Sequence, residues 1–168
     1  MPRAAPSWSR VPSPDLSGPN QASPGLSLAV QYASTAHKLP ARAQIRRWVL
    51  AALEHSAEIT LRFVDAEEAQ ALNRDYRQKD YATNVLTFEY GEITPGVLGG
   101  DIVICVPVVE KEAAEQGKVL RDHYAHLAIH GALHLQGYDH EIEADAVIME
   151  TREAAILKRF RIANPYFR

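Results

Sequence analysis

The sequence predicts a small α/β (α+β) fold: a mixed sheet of about four strands with helices packed on it. Three observations carry this reading. Four short segments have the alternation or the apolar run of a strand, and the segments between them repeat apolar residues at helical spacing. Glycines and prolines mark the joints. The chain has 168 residues, a length that suits one domain. Its 46% hydrophobic and 23% charged residues are the composition of a globular chain with a core.

Residues 1–25 are rich in Pro, Ser and Ala and have no hydrophobic periodicity. They read as a disordered tail, because they bury too little apolar surface to offset the entropy of ordering. The folded domain is therefore expected over 26–168. The tail lacks the continuous apolar segment of a secretory signal, and its prolines oppose the amphipathic helix of an organellar presequence. Leu26–Ala33 (LSLAVQYA) alternates like a half-buried strand. Ala41–Leu53 reads as a helix with Ile45, Trp48, Val49 and Ala52 on one face. Glu58–Val64 (EITLRFV) alternates again. Asp65 then suits an N-cap, and Glu68 stands three residues on as in a capping box, opening a helix to about Arg74. Val85–Tyr90 (VLTFEY) and Asp101–Val109 (DIVICVPVV) read as two strands. Gly91, Pro95, Gly96, Gly99 and Gly100 mark the turn between them, and Pro107 is expected to end the second. A short helix over Val109–Gln116 stops at Gly117. A longer one over Leu120–Gln136 stops at Gly137. A last helix spans Glu141–Phe160, with apolar positions Ala144, Val147, Ile148, Ala155 and Ile156. The order is β-α-β-α-β-β-α-α-α.

The formal net charge is −3. That counts against a broadly basic nucleic-acid surface but leaves room for a local cationic site. Cys105 is the single cysteine, which excludes an intramolecular disulfide and a four-thiolate zinc site. A reduced, cytosolic setting is the simplest inference. No apolar run approaches the ~20 residues that span a bilayer.

Chemistry concentrates in His130-Gly-Ala-Leu-His134-Leu-Gln-Gly137-Tyr-Asp-His140. Histidines at i and i+4 share one helical face, because each residue advances by roughly 100°. A glycine at 137 can take the left-handed conformation that stops the helix and returns the chain. His140 then approaches from another direction. Three nitrogen ligands leave a fourth zinc position open, which is the arrangement of a catalytic site. A lone histidine on a helix is usually a core or surface residue, and an i, i+4 pair arises often by chance. The pair, the glycine and the third histidine at fixed spacing are much rarer together. One zinc ion per chain is expected on His130, His134 and His140. His126 lies a turn before His130 and is assigned a supporting or packing role, as is His123. His37 and His55 have no motif around them.

The spacing is also that of the long zinc signature of metzincin proteases, with one departure. Gly131 stands where those proteases carry the glutamate that acts as general base. A peptidase reading therefore lacks its proton acceptor.

At these residues the chain resembles the YbeY family of bacterial endoribonucleases, also called rRNA maturation factors. The family hallmark H-G-x-L-H-L-x-G-Y-D-H is matched without departure by HGALHLQGYDH at 130–140. The block L-N-x-x-Y-R-x-x-D-x-x-T-N-V-L-S-F is matched by LNRDYRQKDYATNVLTF at Leu72–Phe88. Ala82 stands where the family often has proline and Thr87 where it often has serine; neither is an expected zinc ligand. The family's L-G-D-I-V-I appears at Leu98–Ile104 as LGGDIVI, with one extra glycine. The likeness covers about Leu26 to Ile156, and the Pro/Ser-rich tail has no counterpart in it.

The resemblance implies a zinc helix beside the sheet and a cytoplasmic endoribonuclease acting on single-stranded RNA. It further implies 3′-end maturation of 16S rRNA and ribosome quality control. The ribosome or ribosomal proteins are the expected partners, with neither DNA nor membrane. Arg77 matches the family's arginine and is the candidate catalytic cation, since a planar guanidinium suits two phosphate oxygens. Without that match an ion pair with Asp75 or Asp80 would be the plainer account of it. Asp139 adjoins a ligand and suits an imidazole-orienting role. Thr83, Asn84, Lys79, Arg74, Arg46 and Arg47 are weaker candidates for substrate or phosphate contacts, and no general base is evident. Two alternatives remain: another zinc hydrolase, against which Gly131 argues, and a non-enzymatic ribosome-assembly factor whose zinc holds the fold.

Overall fold

The computed structural model describes residues 23–166. The element order is β1 (Leu26–Ala33), α1 (Arg42–Ala52), β2 (Ser56–Val64), α2 (Ala66–Arg77), β3 (Val85–Thr94), β4 (Val97–Cys105), α3 (Val106–Gln116), α4 (Leu120–Leu135) and α5 (Glu143–Arg159). The strands form one mixed sheet in the order β1-β2-β4-β3. β1, β2 and β4 run parallel, and β3 joins β4 antiparallel at the edge. The expected tail lies outside the described residues except for 23–25. Gly25 donates its N–H to Ser56 Oγ and accepts one from Ala57, both at 3.0 Å.

Period-two alternation divides β4 between two cores. Ile102 and Ile104 face the larger one, with α1, α4 and α5. Val103 and Cys105 face the smaller one, with α2. Helices on both faces explain why β2 and β4 are almost wholly buried. α4 is the central helix, with ten buried residues. Its close approach to the sheet depends on Gly131. A Cβ there would stand 3.0 Å from Ile102 Cγ2.

Four local expectations change. Asp65 precedes α2 but does not cap it. Its carboxylate accepts from Ser34 Oγ at 2.6 Å, and Glu68 makes a forked pair with Arg62 at 2.6 and 3.0 Å. Partners on the sheet thus outcompete the capping box. The β3–β4 turn contracts to Pro95-Gly96, where Gly96 has φ +77°. Gly100 is a strand residue instead, and it must be glycine because a Cβ would sit 2.5 Å from Leu135 Cδ2. Pro107 opens α3 rather than merely ending β4, since a missing N–H costs nothing in a first helical turn. Finally, α5 buries Met149, Glu153, Ile156 and Leu157. Val147 and Ile148, expected inward, are 56% and 59% exposed. A buried glutamate in mid-stripe hides the true face from an apolar count.

Candidate metal centre

His130 and His134 lie one turn apart near the C-terminal end of α4. Gly137, at φ +99°, reverses the chain after it. The Tyr138 N–H reaches back to the Leu133 carbonyl at 3.3 Å, and the Gly137 N–H to His134 at 3.1 Å. This turn carries His140 back beside the helix. Ring centroids are 5.3 Å apart for His130 and His140, 5.8 Å for His134 and His140, and 6.2 Å for His130 and His134.

Each helical ring is anchored by its Nδ1. His130 Nδ1 hydrogen-bonds to Glu153 Oε1. His134 Nδ1 donates to the Tyr138 carbonyl at 2.7 Å. The turn that Gly137 makes thus supplies His134 with its acceptor. With Nδ1 carrying the proton, each Nε2 keeps its lone pair. A metal-ligating imidazole characteristically has this second hydrogen bond to a carboxylate or carbonyl. His140 is exposed on its loop, so its side chain has room to adjust.

Glu153 was missed in the sequence, where it looks like one more charge on an amphipathic helix. It is fully buried. Its Oε2 accepts from His126 Nε2 at 3.2 Å and from the Tyr166 hydroxyl. Burial pushes its carboxyl pKa up, but the hydrogen bonds from His126, His130 and Tyr166 outweigh this and hold it at about 2. Donor atoms of His126, His130 and Glu153 lie within 4.8 Å of one another, so this group could hold a metal ion. It is the set with that spacing among the described residues, and the three motif histidines stand somewhat farther apart.

His130, His134 and His140 line a cleft of about 350 Å³ together with Arg77, Lys79, Thr83, Asn84 and Asp139. Arg77 closes α2, and its Nη2 donates to the Thr87 carbonyl on β3. Among the described residues it has no ion-pair partner. Asp75 pairs with Arg74 at 3.2 Å, and Asp80 accepts from Gln70 at 3.0 Å. Asp139 orients backbone rather than an imidazole, accepting the His140 N–H at 2.7 Å. Asn84 is turned toward Glu112 on α3 at 3.1 Å. Arg46 donates to the Leu26 carbonyl at 3.1 Å and is no part of the cleft. Glu89 is a second residue missed in the sequence: its Oε1 stands 3.8 Å from His134 Nε2. A larger cleft, of about 910 Å³, opens behind α4 and reaches His123 and His126.

Residues 30–161 match the family model described as Endoribonuclease YbeY. A relative from Thiobacillus denitrificans named endoribonuclease YbeY is 73% identical over 143 residues, covering 85% of this chain and 97% of the relative. One of the same name from Methylibium petroleiphilum is 54% identical over 147 residues, covering 86% and 97%. This chain belongs to the YbeY endoribonuclease family. A solution structure from Thermotoga maritima has the same fold, with a TM-score of 0.52, 23% identity and coverage of 84% and 99%. As a member of the YbeY family the chain is classed with hydrolases that act on RNA. No helix among the described residues is long and apolar enough to cross a membrane.

Proposed function

We propose that this protein is a zinc-dependent endoribonuclease that cleaves single-stranded RNA, with His130, His134 and His140 holding one zinc ion. The observation that carries this reading is the paired anchoring of the helical histidines. Both Nδ1 atoms are committed, to Glu153 and to the Tyr138 carbonyl, which leaves both Nε2 atoms as donors beside His140. The group of His126, His130 and Glu153 fits a supporting role better. Glu153 already accepts from three donors and has no exposure, so substrate has no route to it. A hydrolytic site needs a position open to substrate.

Zinc, when bound, supplies Lewis-acid stabilisation of charge developing on a phosphoryl oxygen. Arg77 offers the complementary cation. Its bond to the Thr87 carbonyl holds the guanidinium on the cleft wall, so little reorganisation is needed when charge develops on phosphate. Lys79 lines the same wall and adds an attraction for the RNA backbone. Glu89 is placed to accept a proton from the attacking water. Glu89→Gln should slow cleavage while zinc content stays near one per chain; loss of zinc would make Glu89 a fourth ligand of a closed, structural site.

Within the cell we assign the enzyme to the cytoplasm and to rRNA processing, at the 3′ end of 16S rRNA and in ribosome quality control, with the ribosome or its proteins as partners. The family match and the motif blocks support that place. The folded unit is proposed to begin near residue 26. Cleavage of single-stranded RNA by the purified protein, with His134→Ala as the control for contaminating nuclease, tests the activity. Equal cleavage by wild type and His134→Ala would refute it.

A further inference from the structure

The geometry points to Tyr166 as a positioning residue for His130: its hydroxyl holds the buried Glu153 carboxylate that orients the imidazole. The inference rests on the reading of His130, His134 and His140 as the zinc ligands.

The chain is built to deliver this ring. α5 ends in a left-handed turn at Arg161, with φ +61°. The Ile162 N–H bonds the Leu157 carbonyl at 3.1 Å, and the Arg161 N–H bonds Lys158 at 3.0 Å. That reversal sends residues 162–166 back along the helix. Asn164 Oδ1 then accepts the Tyr166 N–H at 2.9 Å, a side-chain turn that sets the backbone direction. The Tyr166 ring meets His126 edge-on, with centroids 5.6 Å apart.

The two carboxylate oxygens have separate duties. Oε1 takes His130 Nδ1, whereas Oε2 takes the Tyr166 hydroxyl and His126 Nε2, whose N–H is shared with the Tyr166 oxygen at 3.1 Å. A glutamate has a soft terminal torsion, broad and roughly two-fold. Two donors on one oxygen stop rotation about that torsion and keep the other oxygen on His130. With Tyr166 in place Glu153 is fully buried, so its Oε2 is satisfied by protein donors, the tyrosine hydroxyl and His126. Tyr166 as a whole residue is 39% exposed, while its hydroxyl reaches the fully buried Glu153 carboxylate.

The test uses the full chain as wild type, Tyr166→Phe, Glu153→Gln and the double variant. Zinc affinity is read by chelator competition, and the ligand field by the visible spectrum of the cobalt(II)-loaded protein. Removing an outer partner of a ligating histidine costs 10–100-fold in affinity, and Tyr166→Phe should lie near ~10-fold with a shifted cobalt band. In the Glu153→Gln background the same change should have no further effect, because its route is gone. Wild-type affinity and spectrum in Tyr166→Phe would overturn the proposal, as would an equal loss in both backgrounds. If Tyr166→Phe folds poorly, Asn164→Ala loosens the same turn and keeps the hydroxyl. A smaller shift in the same direction supports the proposal, and an unchanged affinity and spectrum opposes it. His134→Ala separates the two levels. It should lose zinc whatever Tyr166 does, and retention of zinc there with loss in His126→Ala would overturn the ligand assignment and this inference together.

Discussion

α4 carries four histidines, and its two halves use their rings in opposite senses. His130 and His134 are anchored through Nδ1, to a carboxylate and a carbonyl, and among the described residues their Nε2 atoms at the cleft make no hydrogen bond, with Glu89 Oε1 3.8 Å from that of His134. His123 and His126 are anchored through Nε2, to Glu112 at 3.0 Å and Glu153 at 3.2 Å. Their Nδ1 atoms are buried with no hydrogen-bond partner among the described residues. Spacing along the helix cannot separate the pairs, since 126, 130 and 134 are equally spaced. What separates them is which nitrogen the surroundings occupy. A ring held by its Nδ1 presents a donor at its tip, whereas a ring held at its tip is a strut.

The sharpest way to break this comparison is to remove one ring at a time and measure zinc per chain. His130→Ala, His134→Ala and His140→Ala should each lose most of the zinc, because three ligands must converge on one ion. His126→Ala should keep its full stoichiometry and bind more weakly. Zinc retained in His134→Ala but lost in His126→Ala would reverse the roles of the two pairs and place the metal on Glu153.

Arg77 sharpens the contrast from the cleft side. Arg77→Ala should lower turnover by ~10²–10³ with zinc content unchanged, the usual loss for one preorganised donor at a developing charge. RNA affinity should fall less than turnover. Arg77→Lys should recover only part of the rate, since a point charge cannot reproduce the guanidinium fork. An alanine variant that cleaves at the wild-type rate would reduce Arg77 to a tie between α2 and β3.

Gly131 governs how deep the helix sits. Ala at 131 places a methyl 3.0–3.2 Å from three Ile102 side-chain atoms, so Ile102 or the helix must yield. Overpacking of this kind typically costs about 1–3 kcal/mol. We expect Gly131→Ala to lower the denaturation midpoint and to weaken zinc binding, because His130 and His134 ride on the helix that moves. Stability and affinity both at the wild-type level would show that the contact relaxes freely.

How far the sequence could be read follows the same division. β1, β2 and α1 were legible because they alternate or repeat at regular spacing, and β1 begins and ends where expected, whereas β4 runs Val97–Cys105 rather than Asp101–Val109. The three motif histidines were legible because spacing and a helix-stopping glycine are local signals. Glu153 was not, because a buried carboxylate is written like a solvated one, and its partners lie 23, 27 and 13 residues away. Glu89 escaped notice for a similar reason: its nearness to His134 depends on β3 lying beside α4, which no local pattern encodes. The capping box failed because Arg62, six residues from Glu68, and Ser34, 31 residues from Asp65, claimed its two carboxylates.

The smallest effect expected belongs to the rear pair and is one of stability against pH. His123 is 4% exposed, and burial holds its pKa below the ordinary value of 6.5. The hydrogen bond and charge of Glu112 pull it upward, while His126 and Lys118 pull it down, and burial dominates. Below pH ~6.5 the unfolded chain therefore binds a proton that the folded chain refuses. Stability is lost as pH falls through ~6.5 toward the lower folded value, and it is fully present above ~6.5. His123→Gln keeps a side-chain N–H for Glu112 and has nothing to titrate. In zinc-free protein the front histidines contribute alike to wild type and variant, so their part cancels in the difference. Urea midpoints measured from pH 8 to pH 5 should fall more steeply in wild type than in His123→Gln, with the curves diverging only below about pH 6.5. Parallel curves would mean that Glu112 fully compensates the burial, and that the rear ring is a charged partner rather than a neutral strut.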